Sequence, residues 1–217
     1  MAITEIIHDA QEGLKKLKTN YTRANAYVIE IIALHDDLEE QLTELYTNIK
    51  TFEQKFAGNL TDHQTKILLD GKSRFSGLRE VLTNFDQSCQ RNRPNKPRDK
   101  FEEYTRKLTS MERACMAGPI NEKDCIQQME EIAAYSNACV NFIDFYKKAK
   151  VTIESMIKIL KEQNTTLKNS LTAANKKGWG EWIFDNFKSS LQVLPFTMMN
   201  SVIGVFTAQA VTRIFFS

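Results

Sequence analysis

Apolar residues recur at alternating steps of three and four from Ile3 to Phe56: Ile3, Ile7, Ala10, Leu14, Leu17, Tyr21, Ala24, Val28, Ile31, His35, Leu38, Leu42, Leu45, Ile49, Phe52 and Phe56. His35 is the one strongly polar member. Such spacing draws a single apolar stripe along a helix and suits the shallow crossing of coiled coils and bundles. At about 1.5 Å per residue the helix would reach roughly 80 Å, which predicts a rod-like assembly. Gly13 is a place for a kink, at a cost of about 1 kcal/mol relative to Ala. The helix should stop at Ala57-Gly58-Asn59, because glycine commonly follows a helix end.

Thr61 or Asp62 can then cap a second helix, in which Leu68, Phe75, Leu78, Leu82, Phe85 and Cys89 continue the spacing, weakened by Gly71 and Gly77. Residues 91–100 carry two prolines, five basic side chains and no apolar one, and read as an exposed basic linker. A third helix follows, with Phe101, Tyr104, Leu108, Met111 and Cys115 on one face, closed by Gly118-Pro119. Asn121 looks like the cap of a fourth, with Glu122 and Asp124 where the helix dipole favours acid.

That fourth helix carries a second long stripe: Cys125, Met129, Ile132, Ser136, Cys139, Ile143, Tyr146, Lys150, Ile153, Ile157, Leu160, Asn164, Leu167, Leu171 and Ala174. The fold class expected is all-α. The chain should form an elongated antiparallel bundle of two helices of about fifty residues, two shorter helices between them, and an apolar C-terminal helical segment. One arrangement is three layers with the middle one broken at the basic linker; the other folds the third and fourth helices back separately. By composition, residues 1–177 make the bundle and 178–217 a distinct membrane-active or tail segment.

In that last segment, Trp179, Trp182, Ile183, Phe187, Leu191 and Leu194 give an amphipathic stretch before Pro195. Residues 196–216 then hold a single formal charge, Arg213, in 21 positions, close to the roughly 20 that span a bilayer. On a helical projection Thr197, Asn200, Ser201, Gly204, Thr207, Ala208 and Thr212 fall in one sector of about 140°, largely opposite Met199, Val202, Ile203, Phe206, Ala210 and Ile214. A small and polar stripe on an apolar helix suits helix association in lipid or the lining of a pore. Trp179 and Trp182 beside Lys176 and Lys177 suit the headgroup region. Trp179, Trp182, Phe187, Asn200, Ser201, Gly204, Thr207 and Ala208 are therefore the candidate insertion and oligomerisation residues. The contrasting expectation is a helix packed into a groove of the bundle, its polar stripe facing water.

Charge adds two features. Residues 1–57 hold 6 Lys and Arg against 10 Asp and Glu, while 91–100 hold 5 against 1, in a chain of net charge +2. Arg91, Arg93, Lys96 and Arg98 are thus a candidate contact for an anionic lipid or acidic partner, but the excess is too small and local to point to nucleic acid. His35, Ser136, Lys150 and Asn164 interrupt the stripes, and a buried polar group needs a partner. His35 could in addition answer to pH.

Catalytic and metal chemistry find little footing. Glu5-Ile-Ile-His8 has the spacing of a helical carboxylate di-metal ligand pair but no second copy. Cys89, Cys115, Cys125 and Cys139 lie far apart on apolar stripes, as reduced core thiols do. No phosphate-binding glycine loop or Ser-His-Asp set is present, so no enzyme, metal or cofactor is expected. The Met-Ala-Ile-Thr-Glu start lacks the basic and apolar regions of a cleaved signal, which predicts cytosolic synthesis followed by membrane association.

No residue-level motif identifies a family. In layout, long helices plus a marginal insertion segment, the chain resembles α-helical pore-forming proteins. It is less similar to tail-anchored coiled-coil proteins of the SNARE type, whose central Gln or Arg layer is missing, and to BAR-type modules, whose basic face is missing. The expectation is a non-enzymatic bundle acting at a membrane through a conditionally inserting C-terminal segment, with lipid and a second copy of itself as partners. The alternatives are a soluble oligomeric scaffold, which could engage a protein through its long helices, and a tail-anchored adaptor.

Overall fold

The computed structural model describes residues 3–91, 96–117, 121–177, 180–192 and 196–207. Among them are six helices and no strand: α1 (Ile3–Lys55), α2 (Asp62–Arg91), α3 (Lys96–Ala117), α4 (Glu122–Lys177), α5 (Glu181–Gln192) and α6 (Phe196–Thr207). The protein is an all-α helical bundle, with α1 and α4 its two long helices.

The ends follow the local chemistry. After α1, Gly58 takes a φ of 87°, the left-handed region that only glycine enters freely, while the Asn59 amide donates to the Phe56 carbonyl at 2.9 Å. Thr61 and Gln64 form a capping box: the Gln64 amide donates to Thr61 Oγ1 at 3.2 Å and the Thr61 amide to Gln64 Oε1 at 3.0 Å. Asn121 caps α4 by accepting at Oδ1 from the Lys123 amide, 3.1 Å away. The break expected over 91–100 is shorter, because α3 already begins at Lys96 with Pro97 in its first turn. Proline is tolerated there, since a first-turn N–H has no partner inside the helix.

The helices group into two compact units, the first taking residues 3–30 and the described part of 87–147, the second 31–86 and the described part of 148–207. In the first, α1, α3 and α4 pack together. Ile7, Ala10 and Leu108 form a buried cluster flanked by Ile3, Leu14 and Met129. Here α1 lies against α4: Asn20 Nδ2 donates to Ser136 Oγ at 2.9 Å, and a Cβ on Gly13 would stand 3.4 Å from Ile132 Cγ2. Gly13 thus marks a close helix approach in an unbroken α1, and no break is found there. Aromatic pairs add to the packing, Tyr27 on Tyr146 at 5.3 Å and Tyr104 on Tyr135 at 6.1 Å between ring centroids.

The second unit is an up-down-up-down bundle. His35 meets Leu82 and Tyr46 meets Lys72, so α2 runs opposite to α1. Asn48 pairs with Asn164 and Lys55 with Leu171, both 116 residues on, so α4 runs parallel to α1. Phe52 then meets Phe187 and His35 meets Phe206, which brings α5 and α6 back down as the fourth member. The segment that composition sets apart from residue 178 is, over its described residues in α5 and α6, part of this unit. Its apolar side chains complete a core of Leu38, Leu42, Leu45, Ile49, Leu78, Leu82, Ile153, Met156 and Leu160.

Candidate functional site

The α5–α6 pair is the candidate element, and its burial is one-sided. On α5, Ile183, Phe184, Phe187, Ser190 and Leu191 are buried. The Phe187 ring lies 3.9 Å from that of Phe52 between centroids, and Phe184 lies 6.4 Å from the same ring. On α6, Met199, Val202, Val205 and Phe206 are buried, while Thr197, Asn200, Ser201, Gly204 and Thr207 are exposed. The Thr207 and Ser201 hydroxyls donate back to the carbonyls four residues earlier, Ile203 and Thr197, each at 2.9 Å. Their polarity is thereby partly absorbed by the helix itself. A Cβ added at Gly204 would meet nothing within 4 Å, so its smallness serves no contact inside the unit.

Trp182 departs from the expected face. It is 47% exposed, beside the buried Ile183, and its indole lies over Gly180, where a Cβ would come within 2.8 Å of Cδ1. Ile183, Phe184, Phe187 and Leu191 fill the stripe, and Trp182 falls on its flank. Trp179 and Ala208 lie outside the described residues.

No single described helix is long and apolar enough to cross a membrane. Taken together, α5 and α6 satisfy that length and composition, with a bend of 49° between them.

The end of α5 is fastened to α2 by contacts that stripe reading does not reveal. Leu191 fills a notch at Gly71, where a Cβ would lie 2.9 Å from Leu191 Cδ1. Arg74 Nη1 donates to the Leu191 carbonyl at 3.3 Å. In a continued helix that carbonyl would accept from the amide of residue 195, which is proline and has no N–H. Glycine in the interior of a helix was the available signal, since it weakens the helix and calls for a packing reason.

The polar members of the stripes all find partners. Asn164 Nδ2 donates to the Gln41 carbonyl at 2.9 Å, and its Oδ1 accepts from Asn48 Nδ2 at 3.2 Å. Ser136 accepts from Asn20, and Lys150 lies 3.8 Å from Glu154. His35, 2% exposed, has Nε2 2.8 Å from the Leu82 carbonyl and Nδ1 3.0 Å from Asp36 Oδ1. Both neighbours are acceptors, so a ring carrying two protons can donate to each. Phe85 and Phe206 flank it at 5.4 and 5.8 Å. Gln163 is different: it is 5% exposed, and neither its Nε2 nor its Oε1 has a hydrogen-bond partner.

Of the basic candidates, Arg91 ends α2, Lys96 and Arg98 open α3, and Arg93 lies outside the described residues. The acidic excess of α1 is partly answered by α4, where Lys161 pairs with Asp37 at 2.9 Å and Lys168 with Glu44. Among the described residues no group of three or more His, Cys, Asp or Glu is placed to hold a metal ion. Cys125 and Cys139 are buried and not joined in a disulfide, and burial pushes the Cys139 thiol up to about 11. The phenols of Tyr21, Tyr104 and Tyr135 are raised by the same cause.

No family model, curated protein or solved structure matches the chain.

Proposed function

We propose that this is a non-enzymatic helical-bundle protein that acts at a membrane, with α5–α6 as a conditionally inserting element held against its own bundle until it meets lipid. The observation that carries the reading is the helix pair itself. It has the length and apolar content of a span, yet packs as the fourth member of a bundle with its apolar side turned inward. An amphipathic helix so held can exchange one apolar environment for another, because lipid replaces the core contacts that it gives up. The exposed Trp182 supplies an interfacial side chain ready to meet headgroups. The small and polar stripe at Asn200, Ser201, Gly204 and Thr207 would serve self-association once in lipid.

The test is permeabilisation of liposomes by the full chain and by a chain ending at residue 178, at neutral and acidic pH, with carbonate extraction of the bound fraction. Binding and leakage that need residues 179–217 support the reading. A full chain that neither binds nor permeabilises would sink it.

A second reading is favoured by the completeness of the inward packing. Met199, Val202, Val205 and Phe206 are already buried, so α5–α6 can be a permanent part of a scaffold protein. That version engages partners or a second copy through apolar residues left exposed on the long helices, such as Ile29, Val140 and Phe145. It predicts oligomers or complexes by light scattering that do not change with lipid. Substituting Asn200 and Gly204 by Leu would leave them intact.

A further inference from the structure

We propose that the Gly71–Leu191 notch, with Arg74, is an autoinhibitory latch: it sets how readily α5–α6 leaves the second unit, and hence, resting on the membrane reading above, how readily the protein engages lipid.

Three observations converge on it. First, Gly71 is buried in the interior of α2, where glycine costs helix stability, and a Cβ there would come within 2.9 Å of Leu191 Cδ1, so a methyl needs a small shift of the leucine and a larger side chain must displace it. Gly77, six residues on, would meet nothing within 4 Å. The close approach is therefore specific to the position under α5. Second, Pro195 has no N–H to give the Leu191 carbonyl, and Arg74 donates to that carbonyl from α2. Third, these contacts fall at the last turn of α5, just before the break that separates it from α6. A contact at that point fastens the end of α5, the piece that leads into α6.

The fastening is built to be undone. Next to it lies a hollow of 180 Å³ lined by Ile67, Asp70, Gly71, Arg74, Leu191 and Gln192. The carbonyl bond is long for N–H···O, and the notch holds one leucine side chain. Elsewhere in the same unit Gln163 is buried with neither amide atom hydrogen-bonded, a cost that the folded unit carries.

The experiment reads undocking and membrane action separately. Hydrogen exchange of the α5 and α6 amides is followed in Gly71→Ala, Gly71→Leu, Arg74→Leu, the pair Gly71→Ala with Leu191→Ala, and Gly77→Ala as control, and each protein is then tested for liposome leakage. The hollow can absorb one methyl, so Gly71→Ala is the mild variant and Gly71→Leu the strong one. Gly71→Leu should speed exchange in α5 and α6 by roughly tenfold or more, the scale of an overpacked core contact, with the amides of α1 and α4 unchanged. Arg74→Leu should act in the same direction. Adding Leu191→Ala should return the Gly71→Ala protein toward the exchange of a Leu191→Ala chain alone, and Gly77→Ala should have no effect. Leakage should begin at lower protein concentration in the order of undocking. Unchanged exchange in Gly71→Leu would overturn the latch. Faster exchange with no leakage from any variant would support the latch and overturn the membrane reading.

Discussion

Phe187 of α5 lies on Phe52 of α1 with ring centroids 3.9 Å apart and 34° between the planes, both side chains fully buried. This pair fastens α5 to the long helix deep in the core. Phe187→Ala removes the ring and leaves a cavity beside Phe52, Phe56 and Phe184. The expected cost is about 3–5 kcal/mol in urea unfolding of the second unit. Phe187→Leu should cost less than half of that. A change within the error of the measurement would mean that α5 is not docked in solution.

Gln163 should be a site of easy stabilisation. Its buried amide makes no hydrogen bond, so Gln163→Met keeps the volume and removes the desolvation penalty. A gain of roughly 1–3 kcal/mol is expected, read as a higher urea midpoint with unchanged slope. A loss would show that the amide has a partner, such as an enclosed water.

Asn164 should behave in the opposite way. It donates to the Gln41 carbonyl and accepts from Asn48. Asn164→Leu strands the Asn48 amide in the core, at about 1–3 kcal/mol. Pairing it with Asn48→Leu should recover a measurable part of the loss in a double-mutant cycle. Additive losses would deny that the two amides are coupled.

Alkali should loosen the first unit. The Cys139 thiol is held neutral by burial, with its folded value raised to about 11, so the folded state binds its proton more tightly than the unfolded state does. That contribution is complete below the ordinary thiol range and is lost as pH rises from about 9 through 11. The raised phenols of Tyr21, Tyr104 and Tyr135 act in the same sense. Urea midpoints should therefore fall between pH 9 and 11, and mapping by mass spectrometry should find Cys139 unalkylated at pH 8 until the protein is unfolded. Ready alkylation in the folded protein would contradict its burial.

The long helices were legible because a stripe of apolar residues leaves few alternatives. The positions from Ile7 to Phe56 and from Cys125 to Ala174 fall on the buried or half-buried side almost without exception. Their stops were legible too, since Gly58 and Asn121 act through backbone chemistry local to themselves. Directions and pairings were not. That α1 and α4 run parallel depends on contacts 116 residues apart, such as Asn48 with Asn164, and periodicity carries no sign of them. Gln41, Asn48, Gln163 and Ser170 are buried although they flank the stripes, because a helix surrounded by three others buries a wider face than a two-stranded seam does. For the same reason the docking of α5 was invisible: Gly71 reads as a flaw in α2 until Leu191 is seen lying in it.

The chain has two tryptophans, Trp179 and Trp182, which makes the most direct measurement a simple one. In a Trp179→Phe protein, the emission of Trp182 is recorded as anionic liposomes are added at neutral and at acidic pH. If α5–α6 leaves its bundle for lipid, the half-exposed indole passes from water to the membrane interface. Its emission then moves to shorter wavelength and is quenched by quenchers placed in the lipid. Emission that stays unchanged at both pH values, with the protein remaining in the supernatant, would contradict the account.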